Sequence, residues 1–203
     1  MKILKSIEQN IRNQKDGNFI FLSDFTNEFD YEVVKKSLQR IAKNNSIIRL
    51  SGGIYYKPKK DQILGTLKPS LDMVAEAIAR RDKARIIPTG SFALYKLGLS
   101  EQVPMNIVYL TDGSPRIVKI GSRKITFKKT SPKDLAVNHK LSSLLIQSLK
   151  ELGLKNVNDY TKKRIKQIIK QSNEIDAVKK NIINAPVWIQ TVIKSIIKEI
   201  ENE

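Results

Sequence analysis

The side chains best placed to do chemistry lie between Asp30 and Tyr56, in the run DYEVVKKSLQRIAKNNSIIRLSGGIYY. Asp30 is placed to cap a helix, because its carboxylate can accept from the free N–H groups of the first turn. Val33, Val34, Leu38, Ile41 and Ala42 follow at helical spacing and share one side. Tyr31, Glu32, Lys35, Lys36, Gln39, Arg40 and Lys43 spread over the remainder. On a helix lying in the major groove of duplex DNA, these are the side chains that would meet the duplex. Gln pairs bidentately with adenine, and lysine donates to guanine or to phosphate. Most of the set would touch phosphates, which position a protein without reading sequence. Arg49, Lys57, Lys59 and Lys60 are the matching candidates for the DNA backbone. The bland alternative is a solvated charged face on an ordinary helix–hairpin.

A second chemistry is open at Thr89-Gly90-Ser91. A strand, a Gly-Ser helix start and a further strand also form the entry to a nucleotidyltransferase. There the Gly-Ser backbone cradles triphosphate, and two carboxylates on the next strand hold magnesium. Here the next strand offers Asn106 and Val108, and Asp112 stands alone in a turn. No catalytic residue and no metal ligand is assigned, and a capped helix packed on a sheet is the expectation. His139 is the only histidine and reads as structural or solvated on a helix. Cysteine is absent, which removes thiolate metal sites, thiol nucleophiles and disulfides. With no P-loop and no Gly-x-Gly-x-x-Gly, no cofactor is expected. The denser run Arg116, Lys119, Arg123, Lys124, Lys128, Lys129 and Lys133 makes a second basic surface, for nucleic-acid phosphate or an acidic protein, or a solvated face. Strand alternation puts Lys124, Thr126 and Lys128 on one side.

The elements that must position these residues follow from the pattern. The chain has 203 residues, 40% of them hydrophobic, enough for one large or two small domains with real cores. Its net charge of +17 attracts polyanions, although a lysine-rich composition heavy in Ile and Asn supplies part of that excess. No apolar run approaches the ~20 residues that span a bilayer, and the N-terminus lacks the apolar core of a signal peptide. A cytoplasmic protein without a membrane role is therefore expected. Residues 2–14 read as an amphipathic helix, 19–22 as a strand, 23–29 as a short second helix. The capped helix from Asp30 comes next, then a hairpin across Ser51-Gly52-Gly53. That order is the winged helix-turn-helix, in which the last helix enters the major groove and the hairpin lies along the backbone.

Lys57-Pro58-Lys59-Lys60 reads as the exit from this domain, which gives residues 1–60 as the DNA-binding part and 61–203 as a second, α+β part. Within the latter a helix runs from Pro69-Ser70 to Asp82. Strands at 85–88, 105–110, 117–120 and 124–127 make a small mixed sheet with the helix 92–97 on it. Ser131-Pro132 opens a helix to about Glu151, and the chain is helical from about 132 to 203. The fold class is α+β.

Residues 80–135 carry a family likeness. The segments IIPTGSFAL, KLGLS, VPMNIVYLTDG and KITFKKTSP resemble the core of AbiEi-type antitoxins of bacterial abortive-infection, type IV toxin–antitoxin systems. The resemblance implies a winged-helix domain followed by an antitoxin domain. It implies a non-enzymatic autorepressor that binds operator double-stranded DNA and counteracts a nucleotidyltransferase-like toxin, with or without a stable complex. It does not say which residues neutralise the toxin; the basic strands from Arg116 to Lys129 are named for that on charge alone. Two alternatives stand beside it. One is a nucleotidyltransferase-like enzyme acting on RNA with a degenerate metal site. The other is an interaction adaptor without a DNA role.

Overall fold

A computed structural model of the chain describes residues 2–132 and 134–202; Lys133, counted above in the second basic run, lies outside the described residues. The architecture is α+β, with eight α-helices and three sheets among the described residues. Two compact units divide the chain, Met1–Ile78 with Val118–Arg123, and Ala79–Ile117 with Lys124–Glu203.

In the first unit, helix α1 (Lys2–Asn13) buries Ile7 and Ile11, with Ile3 and Leu4 packed beside them. Apolar residues every third or fourth position leave one stripe to bury. Strand β1 (Phe19–Phe21) leads into a single 3-10 turn, Leu22–Asp24. The short helix expected here does not continue to Phe29. Asp24 turns its carboxylate back to the Phe21 N–H at 2.8 Å, and Phe25 drops into the core. Helix α2 (Tyr31–Lys43) begins at Asp30, whose Oδ1 accepts from the N–H of Glu32 at 2.9 Å and of Val33 at 3.2 Å. Val34, Ser37, Leu38 and Ile41 are its buried residues, while Val33 sits off the stripe and is exposed. Asn45, at φ +57°, ends it in the left-handed conformation that Asn tolerates.

Strands β2 (Ile48–Ser51) and β3 (Ile54–Tyr56) follow, and the sheet order is β1-β3-β2 with antiparallel pairs throughout. Being central, β3 has both faces covered: Ile54, Tyr55 and Tyr56 are all buried. Strands β4 (Lys59–Asp61) and β5 (Gly65–Leu67) form a separate two-stranded hairpin. Residue 60, read from the sequence as a domain end, falls inside β4. Helix α3 (Leu71–Arg81) buries Leu71, Val74, Ala75 and Ile78, as its spacing dictates.

The second unit contains β6 (Ile86–Thr89), α4 (Ser91–Leu97), β7 (Ile107–Thr111) and most of β9 (Arg123–Lys129); β8 (Arg116–Ile120), most of which groups with the first unit, ends the sheet, whose order is β6-β7-β9-β8. The β6–β7 pair is antiparallel and β7–β9 parallel, so the sheet is mixed. Ile107, Tyr109, Ile125 and Phe127 face inward, and Phe92 of α4 meets the Tyr109 ring edge-on at 5.7 Å. Helices α5 (Lys140–Leu152), α6 (Asp159–Ser172), α7 (Ile175–Asn181) and α8 (Val187–Glu201) share one core that includes Leu145, Leu149, Ile165, Ile169, Val178 and Ile193.

Helix α5 opens at Lys140 and not at Ser131-Pro132. Leu135 and Val137 are buried from irregular backbone. Asp134 engages the hydroxyls of Thr130 and Ser131 and the Lys150 ammonium, side-chain bonds that compete with helix formation. His139 is correspondingly a cap and not a helical residue: its Nδ1 accepts from the Ser142 N–H. On α8, Ile189, Ile193, Ile196 and Ile197 are buried, and Trp188 packs, partly buried, against the same core. Among the described residues no helix is long and apolar enough to cross a membrane.

Candidate nucleic-acid interface

Burying Val34, Leu38 and Ile41 turns the opposite side of α2 to solvent. Lys36, Arg40 and Lys43 are exposed there, and Gln39 is half-buried between them. Lys36, Arg40, Lys43 and the exposed Arg49 of β2 have no ion pair among the described residues. Arg49 stands opposite Tyr55 in the β2–β3 register. Lys35 differs. Its ammonium is 3.1 Å from Glu32 Oε1 and 5.7 Å from the Tyr31 ring centroid. The Glu32 carboxylate pushes the Lys35 pKa above the ordinary lysine value. Tyr31 itself is exposed, whereas Tyr55 and Tyr56 are core residues; burial raises the Tyr55 phenol.

The lysines after β3 do not act alike. Lys57 Nζ donates to the carbonyl oxygens of Arg12 at 3.0 Å and Gln14 at 2.6 Å, and lies 3.4 Å from Asp16 Oδ1. It closes the open carbonyl end of α1, where a cation is favoured by the helix dipole. With its side chain only 18% exposed, Lys57 leaves the set of candidate phosphate contacts. Lys59 and Lys60 lie on β4 and are exposed. The hairpin that carries them went unread in the sequence, where residues 61–68 are short and mixed; Asp61 and Gly65, a turn acceptor and a turn glycine, were the available signal.

The second basic run is divided between the two units: Lys119 and Arg123 group with the first, Arg116, Lys124, Lys128 and Lys129 with the second. Arg116 and Lys129 are engaged internally. Arg116 pairs with Asp82 and lies 5.4 Å from the Phe127 ring centroid; burial lowers its pKa. Lys129 Nζ donates to the Asp112 carbonyl oxygen at 2.5 Å. Lys124 and Lys128 are exposed on one side of β9, opposite the buried Ile125 and Phe127, as alternation requires.

At the Gly90-Ser91 turn, Gly90 adopts φ +66° and ψ −153°, a conformation reserved for glycine. Asn106 Oδ1 accepts the Lys124 N–H at 3.0 Å. Asp112 accepts the Arg85 N–H at 2.7 Å and Nε–H at 2.9 Å. These bonds, the guanidinium first, hold its carboxyl below the usual range. The Asn106 amide oxygen and both Asp112 carboxylate oxygens thus accept protein N–H groups. No group of three or more His, Cys, Asp and Glu that could hold a metal occurs among the described residues.

Against known proteins, residues 6–177 match a family described as a family of unknown function, DUF6088. The chain belongs to that family. The stretch shared with DUF6088 takes in α2, both hairpins of the first unit and the mixed sheet of the second, and ends inside α7. No curated protein matches the sequence. A solved structure titled as the RV2827C protein from Mycobacterium tuberculosis is similar at 11% identity, covering 95% of this chain and 79% of that one with a TM-score of 0.44.

Proposed function

We propose that this DUF6088 protein binds duplex DNA through α2 and works in the cytoplasm as the autorepressing antitoxin of a toxin–antitoxin, abortive-infection system. One observation carries the DNA-binding half. The order α1, β1, 3-10 turn, α2, β2, β3 with sheet order β1-β3-β2 supports a winged-helix reading in which α2 is the reading helix. The second helix of that motif is reduced here to the single turn Leu22–Asp24. Lys36, Arg40 and Lys43, unpaired on the outer side of α2, supply phosphate contacts, and Gln39 among them is the candidate for adenine. Arg49 on β2 and Lys59 and Lys60 beyond β3 extend the basic surface along the backbone.

The antitoxin half rests on the likeness of residues 80–135 to AbiEi-type antitoxins. The partner in that reading is a nucleotidyltransferase-like toxin, and the chain is a binding protein, not an enzyme. An RNA nucleotidyltransferase reading fits less well, because Asn106 and Asp112 are committed to backbone and guanidinium N–H groups.

The test is a gel shift of the whole chain on the duplex upstream of its own reading frame. Expected are binding that weakens steeply with salt, as counterion release requires, and loss of affinity in a Lys36→Ala, Gln39→Ala double variant with unchanged melting. Unchanged affinity would remove α2 from the reading position. Co-expression with a neighbouring nucleotidyltransferase-like frame should restore growth; no rescue would remove the antitoxin half.

A further inference from the structure

One hairpin of the first unit carries large apolar side chains into solvent. Strands β4 and β5 pair in the register Lys59↔Leu67, Lys60↔Thr66, Asp61↔Gly65, and every residue from Lys59 to Thr66 is exposed. At the tip Ile63 is 93% and Leu64 75% exposed. Single exposed apolar residues are ordinary, but two adjacent ones on a fixed turn are a poor use of surface unless something covers them. The turn is fixed: Asp61 Oδ1 accepts the N–H groups of both Ile63 and Leu64 at 2.8 Å, and Gly65 at φ +69° returns the chain.

The flanks say what would cover the tip. Lys59, Lys60 and Lys68 are exposed, against one acidic residue, Asp61, whose carboxylate is already occupied by the turn. Lys60 sits across from Thr66, and the Lys59 stem runs so close to Gly17 that a Cβ there would meet it. An arm that is apolar at its end and cationic along its sides complements a surface that is apolar inside and anionic at its rims. Duplex DNA is such a surface: stacked bases lie between rows of phosphates. Three residues per strand reach about 10 Å, comparable to the roughly 7.5 Å depth of the minor groove.

We propose that β4–β5 is a minor-groove arm, with Ile63 and Leu64 as a wedge that enters between neighbouring base pairs. The proposal rests on the DNA-binding reading of the same unit. Ile and Leu are among the side chains that open a base step in this way, and lysines beside them neutralise the phosphates brought close. TA steps are the least costly to open.

The test uses the full chain and the duplex upstream of its reading frame, with 2-aminopurine placed in turn at each TA step. Saturating protein should raise the fluorescence at one or a few steps. An Ile63→Ala, Leu64→Ala variant should still shift the duplex, with affinity lowered by about tenfold or less, and should lose the rise. Asp61→Asn keeps the turn acceptor and removes a negative charge, so it should keep the rise and bind more tightly; Asp61→Ala should lose the rise. No shift by the wild-type chain at any salt overturns the DNA reading and the wedge together. A shift without any rise overturns the wedge alone. Sedimentation with phosphatidylserine vesicles that depends on Ile63 and Leu64, with no rise on DNA, would assign the tip to a lipid surface and overturn the proposal.

Discussion

The ammonium of Lys57 reaches the carbonyl oxygen of Arg12 at 3.0 Å, and so ties the exit of β3 to the last turn of α1. The same nitrogen holds the Gln14 oxygen. A lysine that reads from the sequence as a phosphate contact is thereby a structural clamp. Lys57→Met keeps the stem and removes the charge, leaving the α1 carbonyls without a donor. Expected is a loss of about 1–2 kcal/mol in urea unfolding, with the salt dependence of DNA binding unchanged. A shallower salt slope at unaltered stability would return Lys57 to the interface.

Glu32 restrains Lys35. Its two carboxylate oxygens accept from Lys35 Nζ at 3.1 and 3.3 Å, and the negative charge itself faces the duplex in the proposed docking. Glu32→Gln removes one repulsive charge and frees one cation. Affinity in a gel shift should rise several-fold at low salt and converge on wild type at high salt, since exposed charges are screened. The pair is exposed, so melting should not move. Weaker binding would place Glu32 on a base edge, where it accepts from cytosine.

Lys36, Arg40 and Lys43 divide differently from Gln39. Each cation replaced by alanine should lower the slope of log affinity against log salt by about one, uniformly across DNA sequences. Gln39→Ala should leave the slope intact and relax sequence preference at one position, costing about 1–3 kcal/mol there. Equal slopes in all four variants would mean that this side of α2 is only solvated.

What the sequence disclosed was local. Asp30 and the apolar spacing of α2 act within a few residues, so the helix and its exposed side were readable. The central sheet was readable for the same reason: β7 and β9 alternate buried and exposed positions. Roles set by tertiary approach were not readable. Nothing near Lys57 announces that its nitrogen meets Arg12, or that Arg116 meets Asp82. The β4–β5 hairpin has three residues per strand and no buried face, so it lacks the alternation that marks a strand. Ser131-Pro132 misplaced the start of α5, because the buried Leu135 and Val137 that follow pack from irregular backbone and not from a helix. The local competitor, Asp134, gave no signal until its partner on the next helix was known.

Asp134 also gives the fold a pH dependence. Its carboxyl is held below the ordinary value of 3.8, first by the Lys150 ammonium and then by the hydroxyls of Thr130 and Ser131. Lys150 Nζ is 2.9 Å from Oδ1, and the hydroxyls donate to Oδ2 at 2.9 and 3.0 Å. A carboxyl with a depressed folded pKa contributes stability that is fully present above its unfolded value. That stability is lost as pH falls through the folded value. The network therefore strengthens the second unit at neutral pH and fades below about pH 4. Asp134→Asn should unfold more easily in urea at pH 7, by about 1 kcal/mol, and the deficit should shrink as pH falls below the ordinary carboxylate range. A deficit that persists unchanged into acid would mean that the hydroxyl bonds alone, and not the charge, hold this turn ahead of α5.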